Sequence, residues 1–265
     1  MNKNRAFLRR IPLHIAMAVT LLVLLFSLAQ IVRCLHEKEQ RDRFHAQLAH
    51  SVVEAAPQDT EQEHEGALPE KSEETVWPAP PITVDLASLQ AQYEDVVAWI
   101  HCPDTPIDHP VVQGEDNLYY LDHMIDGRKD SGGTVFLDHR SDASMTDACS
   151  IVYGHNLRDG SIFSSLPEYS SQAYYDAHPI LFYLTPEKNF VIDIFAGFVT
   201  QSNDRLYELP RTELARAELI EACIERSDIK TQTQPTVDDR LILLSTCSYA
   251  FEDARYVLAG VLREN

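Results

Sequence analysis

Leu243-Leu244-Ser245-Thr246-Cys247, followed eight residues past the cysteine by Arg255-Tyr256-Val257-Leu258, is the stretch on which fold and chemistry both turn. An apolar run that ends in Cys247 puts the thiol at the end of a strand. The short connection from Ser248 to Ala254 then returns a second strand beside the first, the arrangement that antiparallel neighbours with brief loops adopt. Cys247 and Arg255 are therefore expected to face each other. Physics alone leaves two readings of the pair: a reactive thiol beside a cation, or a core filler and a surface charge.

Outward from this pair, the next signal is Ile151-Val152-Tyr153-Gly154-His155-Asn156, an apolar strand that runs into glycine and then histidine. A histidine at such an exit can point into a cleft. A free thiol is only a few per cent ionised near neutrality, so a cysteine nucleophile needs a base or a cation beside it. His155 is the candidate to take or hold the proton. Arg255 is the candidate to stabilise the oxyanion that forms when a thiolate attacks an amide. His101, His109, His123, His139 and His178 are read as structural; they lack close ligand spacing, so no metal site is expected.

Other short apolar runs, Val111-Val112, 134–137, 151–153, 181–184, 191–199, 241–244 and 256–262, are separated by Gly, Pro, Asp and Asn. Strands at this spacing favour a closed or nearly closed β-barrel. Two helices stand beside them. Asp85 can cap one whose apolar positions are Leu86, Leu89, Tyr93, Val96, Val97 and Ile100; the other covers 212–227, with Leu214, Ala217, Ile220, Cys223 and Ile224 on one face. The fold class is mainly β with peripheral helices.

Toward the N-terminus the folded unit is expected to begin near Ile82, which makes 82–265 the working domain. Residues 57–81 have the Gln, Glu, Ser, Thr and Pro content of a solvated linker. Residues 35–55 suggest a weakly amphipathic helix, and 33–81 together form a stalk. From Ile11 to Val32 there is no formal charge, which is length enough to span a bilayer as a helix. Lys3, Arg5, Arg9 and Arg10 precede it without an acidic residue, so residues 1–10 stay in the cytoplasm and everything after Arg33 is exported, a single-pass type II topology in the cell membrane. The alternative is a cleaved signal peptide with its cut after Ser27-Leu-Ala29.

The formal charge of -19 excludes nucleic acid as a natural partner, because phosphate backbones demand clustered Lys and Arg. Against a small basic group, such as an amine, the same field would attract; the blander reading is a solvated surface of carboxylates. The five cysteines form no CxxC pair, so neither a zinc site nor a disulfide framework is indicated, and no cofactor is implied.

Three ordered blocks resemble sortases, particularly class B. These are Leu-Ser-Thr-Cys247 with Arg255; Tyr153-Gly-His155-Asn-Leu with Asp159-Gly-Ser-Ile-Phe163; and the segment from Trp99 to Gly114 with Asp116-Asn117-Leu-Tyr-Tyr-Leu121. The resemblance covers about Ile82 to the C-terminus. It implies an eight-stranded barrel and a Gram-positive cysteine transpeptidase that cuts an LPxTG- or NPxTN-like sorting signal. An acyl thioester would then pass to an amine, commonly of a peptidoglycan precursor. Carried over, Cys247 is the nucleophile, His155 the general acid and base, and Arg255 the oxyanion and substrate clamp. Asn117, Leu121 and Ser245 would line the signal-peptide groove. Ser248 and Tyr249 stand where some class B members have acidic residues, so no acidic partner of His155 can be named. A pilus polymerase using a pilin lysine, or an inactive anchored binding module, are the alternatives.

Overall fold

The computed structural model describes residues 3–56 and 77–265. The chain divides into two compact units between Leu48 and Ala49. Helix α1, Lys3–Val52, supplies the first; it is long and apolar enough to cross a membrane. Its side chains Leu22 and Phe26 are each 66% exposed, the state of an apolar surface suited to lipid rather than water. The expected linker lies, except for its last residues, outside the described residues.

In the second unit, strand β1, Val53–Ala55, pairs antiparallel with β2, Ile82–Val84. The helix expected to reach residue 55 thus stops at Val52, where the β-branched pair Val52-Val53 enters an extended ladder. Asp85 then caps α2, Leu86–Gln92, its carboxylate accepting from the Ser88 amide at 3.0 Å. That cap was legible. The helix was not to extend to Ile100, however: Tyr93 is already extended, and β3 takes Val96–His101. Val96, Val97 and Ile100 fit both periods, and a bulge between Val96 and Ala98 breaks the strand alternation that would have decided between them.

The remaining strands are β4 (Asp108–Val112), β5 (Val135–Leu137), β6 (Cys149–Tyr153), β7 (Ile180–Leu184), β8 (Asn189–Gln201), β9 (Leu241–Cys247) and β10 (Ala254–Glu264). With β3 they close into an eight-stranded barrel in the order β10-β8-β7-β3-β4-β5-β6-β9. The sheet is mixed: β4 runs parallel to β5, and β6 parallel to β9, while the other pairs are antiparallel. Closure removes exposed strand edges.

The pleat explains why β9 and β10 read as unbroken apolar runs. Ile242, Leu244, Tyr256 and Leu258 belong to the cluster that includes Ala98, Ile100, Val152 and Tyr183 from other strands of the barrel. Leu241, Leu243, Val257 and Ala259 point the opposite way, into a second cluster with Leu219, Ile220 and Cys223. Those last three come from α4, Glu213–Arg226, which covers this outer face and begins at Thr212, whose hydroxyl accepts from the Ala215 amide. Strands buried on both faces need an apolar residue at every position, each worth roughly 1.5–3 kcal/mol when fully buried. The buried stripe of α4 differs from the expected one: Leu214 is 70% and Ile224 47% exposed. The helix is turned so that Leu219 is the third contact. A short helix α3, Gln172–Ala177, precedes β7.

Candidate active site

Cys247 is the last residue of β9, and Arg255 is its register partner on β10. The thiol is half-buried and unpaired, and the Arg255 guanidinium is anchored by an Nη1–H bond to the Ala254 carbonyl at 3.0 Å. The parallel strand β6 brings the third group. Tyr153 is in register with Ser245, and the Gly154 amide donates to the Ser245 carbonyl at 3.1 Å, so His155 leaves the sheet at the same end as Cys247. Gly154 is needed there because a Cβ would lie 2.7 Å from the Phe163 ring.

His155 Nε2 is 2.7 Å from the carbonyl oxygen of Leu121. A carbonyl only accepts, so Nε2 carries a proton and Nδ1 is the nitrogen left to take one. Leu121 thus meets the histidine through its backbone, while its side chain is 38% exposed. It ends a 3₁₀ turn, Tyr119–Leu121, which starts where the Asp116 carboxylate accepts from the Leu118 and Tyr119 amides. Gly133, at φ +58, lets the next segment pass against the Tyr120 carbonyl, where a Cβ would not fit.

Asn117 lies deeper. Its amide donates to Asp138 at 3.0 Å and its carbonyl accepts from the His139 amide at 2.9 Å. Asp138 was missed in the sequence, although its place just past the apolar run ending at Leu137 is the same strand-end position that drew attention to Cys247. Its buried carboxylate also accepts from the Tyr153 hydroxyl at 3.1 Å and from the Arg140 fork at 2.8 and 2.7 Å. Burial alone would raise this carboxyl, but the Arg140 guanidinium and amide and the Asn117 amide hold it down at about 2. It is a fixed anion that organises the wall around Asn117 and Tyr153.

Ser245 is buried and shares a hydrogen bond of 2.9 Å with the Tyr207 hydroxyl. Tyr207 was also missed, since nothing local marks a tyrosine in a 3₁₀ turn (Arg205–Glu208) that only tertiary packing aims at β9. Burial raises its phenol above the ordinary value, while the Ser245 bond and the Arg255 guanidinium pull it back. A cavity of about 440 Å³ lies beside α4, lined by Phe198, Leu206, Leu209 and Leu219 among others, but none of Cys247, His155 or Arg255 lines it. The chemistry-bearing groups are at the barrel end where β6 and β9 terminate, and that end is the candidate site.

A curated protein from Listeria monocytogenes, Sortase B, is 33% identical over 181 residues, covering 67% of this chain and 74% of the relative. The chain belongs to the class B sortases. Sortase B of Staphylococcus aureus is 27% identical over 170 residues, covering 63% of this chain and 68% of that one. Among solved structures, a Staphylococcus aureus sortase B–substrate complex superposes with a TM-score of 0.64 at 25% identity, covering 67% of this chain and 84% of that chain. No family model matches the chain. As a class B sortase it is a cysteine transpeptidase on an eight-stranded mixed barrel, as the sequence resemblance implied.

Proposed function

We propose that this class B sortase cleaves an LPxTG- or NPxTN-like sorting signal of exported proteins and joins the acyl fragment to a cell-wall peptidoglycan amine. The observation that carries the reading is the placement of Cys247 directly across from Arg255, with His155 leaving the neighbouring parallel strand at the same end. Cys247 gives its thiol proton to His155 and its Sγ attacks the scissile carbonyl of the signal, forming a tetrahedral oxyanion beside Arg255. Collapse breaks the C–N bond, His155 gives a proton to the departing amine, and a thioester remains on Cys247. An incoming amine, deprotonated by His155, then breaks the C–S bond and restores the thiol.

Asn117, Leu121 and Ser245 line the peptide groove in this reading, Leu121 with its side chain and Asn117 and Ser245 through the Asp138 and Tyr207 contacts that orient them. A relative solved with its substrate supports a peptide-binding groove here. The same proposal takes 1–10 as cytoplasmic, 11–32 as spanning, 33–81 as stalk and 82–265 as the catalytic domain outside the membrane, with Val53–Ala55 of the stalk pairing onto the domain's first strand. An N-terminal read of the native protein tests the topology; a mature chain beginning near Gln30 would refute the anchor.

The activity is tested by incubating the full-length chain in detergent with fluorogenic LPxTG-like and NPxTN-like peptides, with and without an amine. Cleavage that Cys247→Ala abolishes is expected, and unchanged turnover in that variant would defeat the assignment. Mass spectrometry of the joined product identifies the acceptor; a pilin lysine in place of a wall amine would redirect the function to pilus polymerisation.

A further inference from the structure

The β6–β9 ladder stops just short of the two reacting side chains. Its last bond is the one from the Gly154 amide to the Ser245 carbonyl; beyond it His155 enters a loop, while Cys247 remains on β9 as its last residue. Side chains take over the connection. Asn156 Nδ2 donates to the Cys247 carbonyl at 2.9 Å, and the Tyr249 hydroxyl donates to the Asn156 carbonyl at 3.2 Å. The bonds are crossed: a side chain next to the histidine holds the cysteine's backbone, and a side chain two residues past the cysteine holds the backbone next to the histidine. The Arg158 guanidinium stands 5.9 Å over the Tyr249 ring and steadies it from the solvent side.

We propose that Asn156 and Tyr249 are positioning residues, a crossed clasp that sets the distance and orientation between the His155 imidazole and the Cys247 thiol. The inference rests on the roles proposed for those two groups. A single bond between a strand end and a loop fixes a separation but leaves the loop free to rotate about it, whereas two bonds of opposite sense fix both. Proton transfer needs a heavy-atom separation of roughly 2.6–3.2 Å, and a histidine that has left its ladder for a loop does not hold such a distance unaided. Tyr249 is 68% exposed, so removing its hydroxyl disturbs little packing. The clasp touches neither reacting atom. It acts on the backbones that carry them.

The test uses the full-length chain in detergent with Tyr249→Phe, which removes only the hydroxyl, Asn156→Ala, and the double variant. Peptide cleavage is resolved into kcat and KM. Iodoacetamide labelling of Cys247 is followed by peptide-level mass spectrometry, so that the exposed Cys34 is scored separately. Each single variant is expected to lower kcat by about three- to tenfold at unchanged KM, the loss of one neutral hydrogen bond, with the double variant milder than the product of the two. Labelling near pH 7 should fall in parallel, yet match the unsubstituted chain at about pH 10, where thiols ionise without help.

A purely structural role would instead lower labelling at neither pH or at both. Unchanged kcat and unchanged labelling in both single variants, or losses confined to KM, would overturn the clasp. Should the unsubstituted chain cleave no peptide, the transpeptidation reading fails by itself, while the pH-dependent labelling still decides whether the clasp exists.

Discussion

Arg255 stands directly opposite Cys247 across the β9–β10 ladder, one strand spacing away and on the same barrel end. Strand pairing sets the Arg255 backbone opposite the thiol, and in the proposed mechanism its cation meets the negative charge that develops there with little reorganisation. Arg255→Ala is expected to lower kcat/KM for a sorting-signal peptide by about 10²–10³. Arg255→Lys keeps the charge but loses the planar fork, and should recover about tenfold at most. Steady-state kinetics on the two variants, with melting temperatures matched, check both figures.

Asp138 sets an acid limit on stability. Its folded value of about 2 lies below the ordinary 3.8, so in the interval between them the unfolded chain binds more protons than the folded one. Stability from this group is therefore complete above about pH 4 and is lost as pH falls toward 2, a change of about 2 kcal/mol. Asp138→Asn should lower stability at neutral pH by about 2–3 kcal/mol, by leaving Arg140 and the Asn117 amide without their acceptor, and should flatten the acid dependence. Denaturant titrations at pH 6 and pH 3 measure both effects; an equal slope in the two proteins would contradict the assignment.

Much of the barrel end was readable from residue order. An apolar run closing on a cysteine, a short return and an arginine in the next strand define a hairpin whose register follows from loop length. A strand ending in glycine and histidine supplies its neighbour. What was not readable was anything set by contacts between distant segments. Asp138 and Tyr207 are single polar residues at strand and turn ends; Arg140 is a local partner of the first, but only the closed barrel brings Asn117 and Tyr153 to it and Ser245 against the second. Val96–His101 was taken for helix because its apolar positions satisfy the 3.6 period until the bulge is known. The face of α4 was misjudged for a related reason: an outer barrel surface curves, and Leu219 met it in place of Leu214.

Tyr207→Phe removes the partner of the Ser245 hydroxyl while keeping the ring, which stacks near Tyr153 at a centroid distance of 6.3 Å. The buried serine loses a bond, and the wall beside Cys247 that lines the peptide groove in the proposed reading loosens. A rise in peptide KM of about three- to tenfold is expected, with labelling of Cys247 by a small alkylating reagent unchanged. Peptide kinetics against alkylation rate separates this wall effect from an effect on the thiol.

Gly154→Ala forces a methyl group against the buried Phe163 ring. Overpacking of this kind costs about 1–3 kcal/mol. Because His155 is the next residue, turnover should fall further than stability accounts for. Thermal melts alongside turnover at a temperature well below the transition test it, and activity that merely tracks the folded fraction would count against the link.

The sulfur of Cys247 can be watched directly. Full-length protein is mixed with an LPxTG-like peptide without any amine, quenched in acid within the first turnover, and digested for mass spectrometry. An acyl fragment ending at the signal's threonine should appear on the Cys247 peptide and disappear when hydroxylamine or triglycine is added. Cleaved peptide with no adduct at Cys247, or the same cleavage in Cys247→Ala, would contradict nucleophilic attack by this residue.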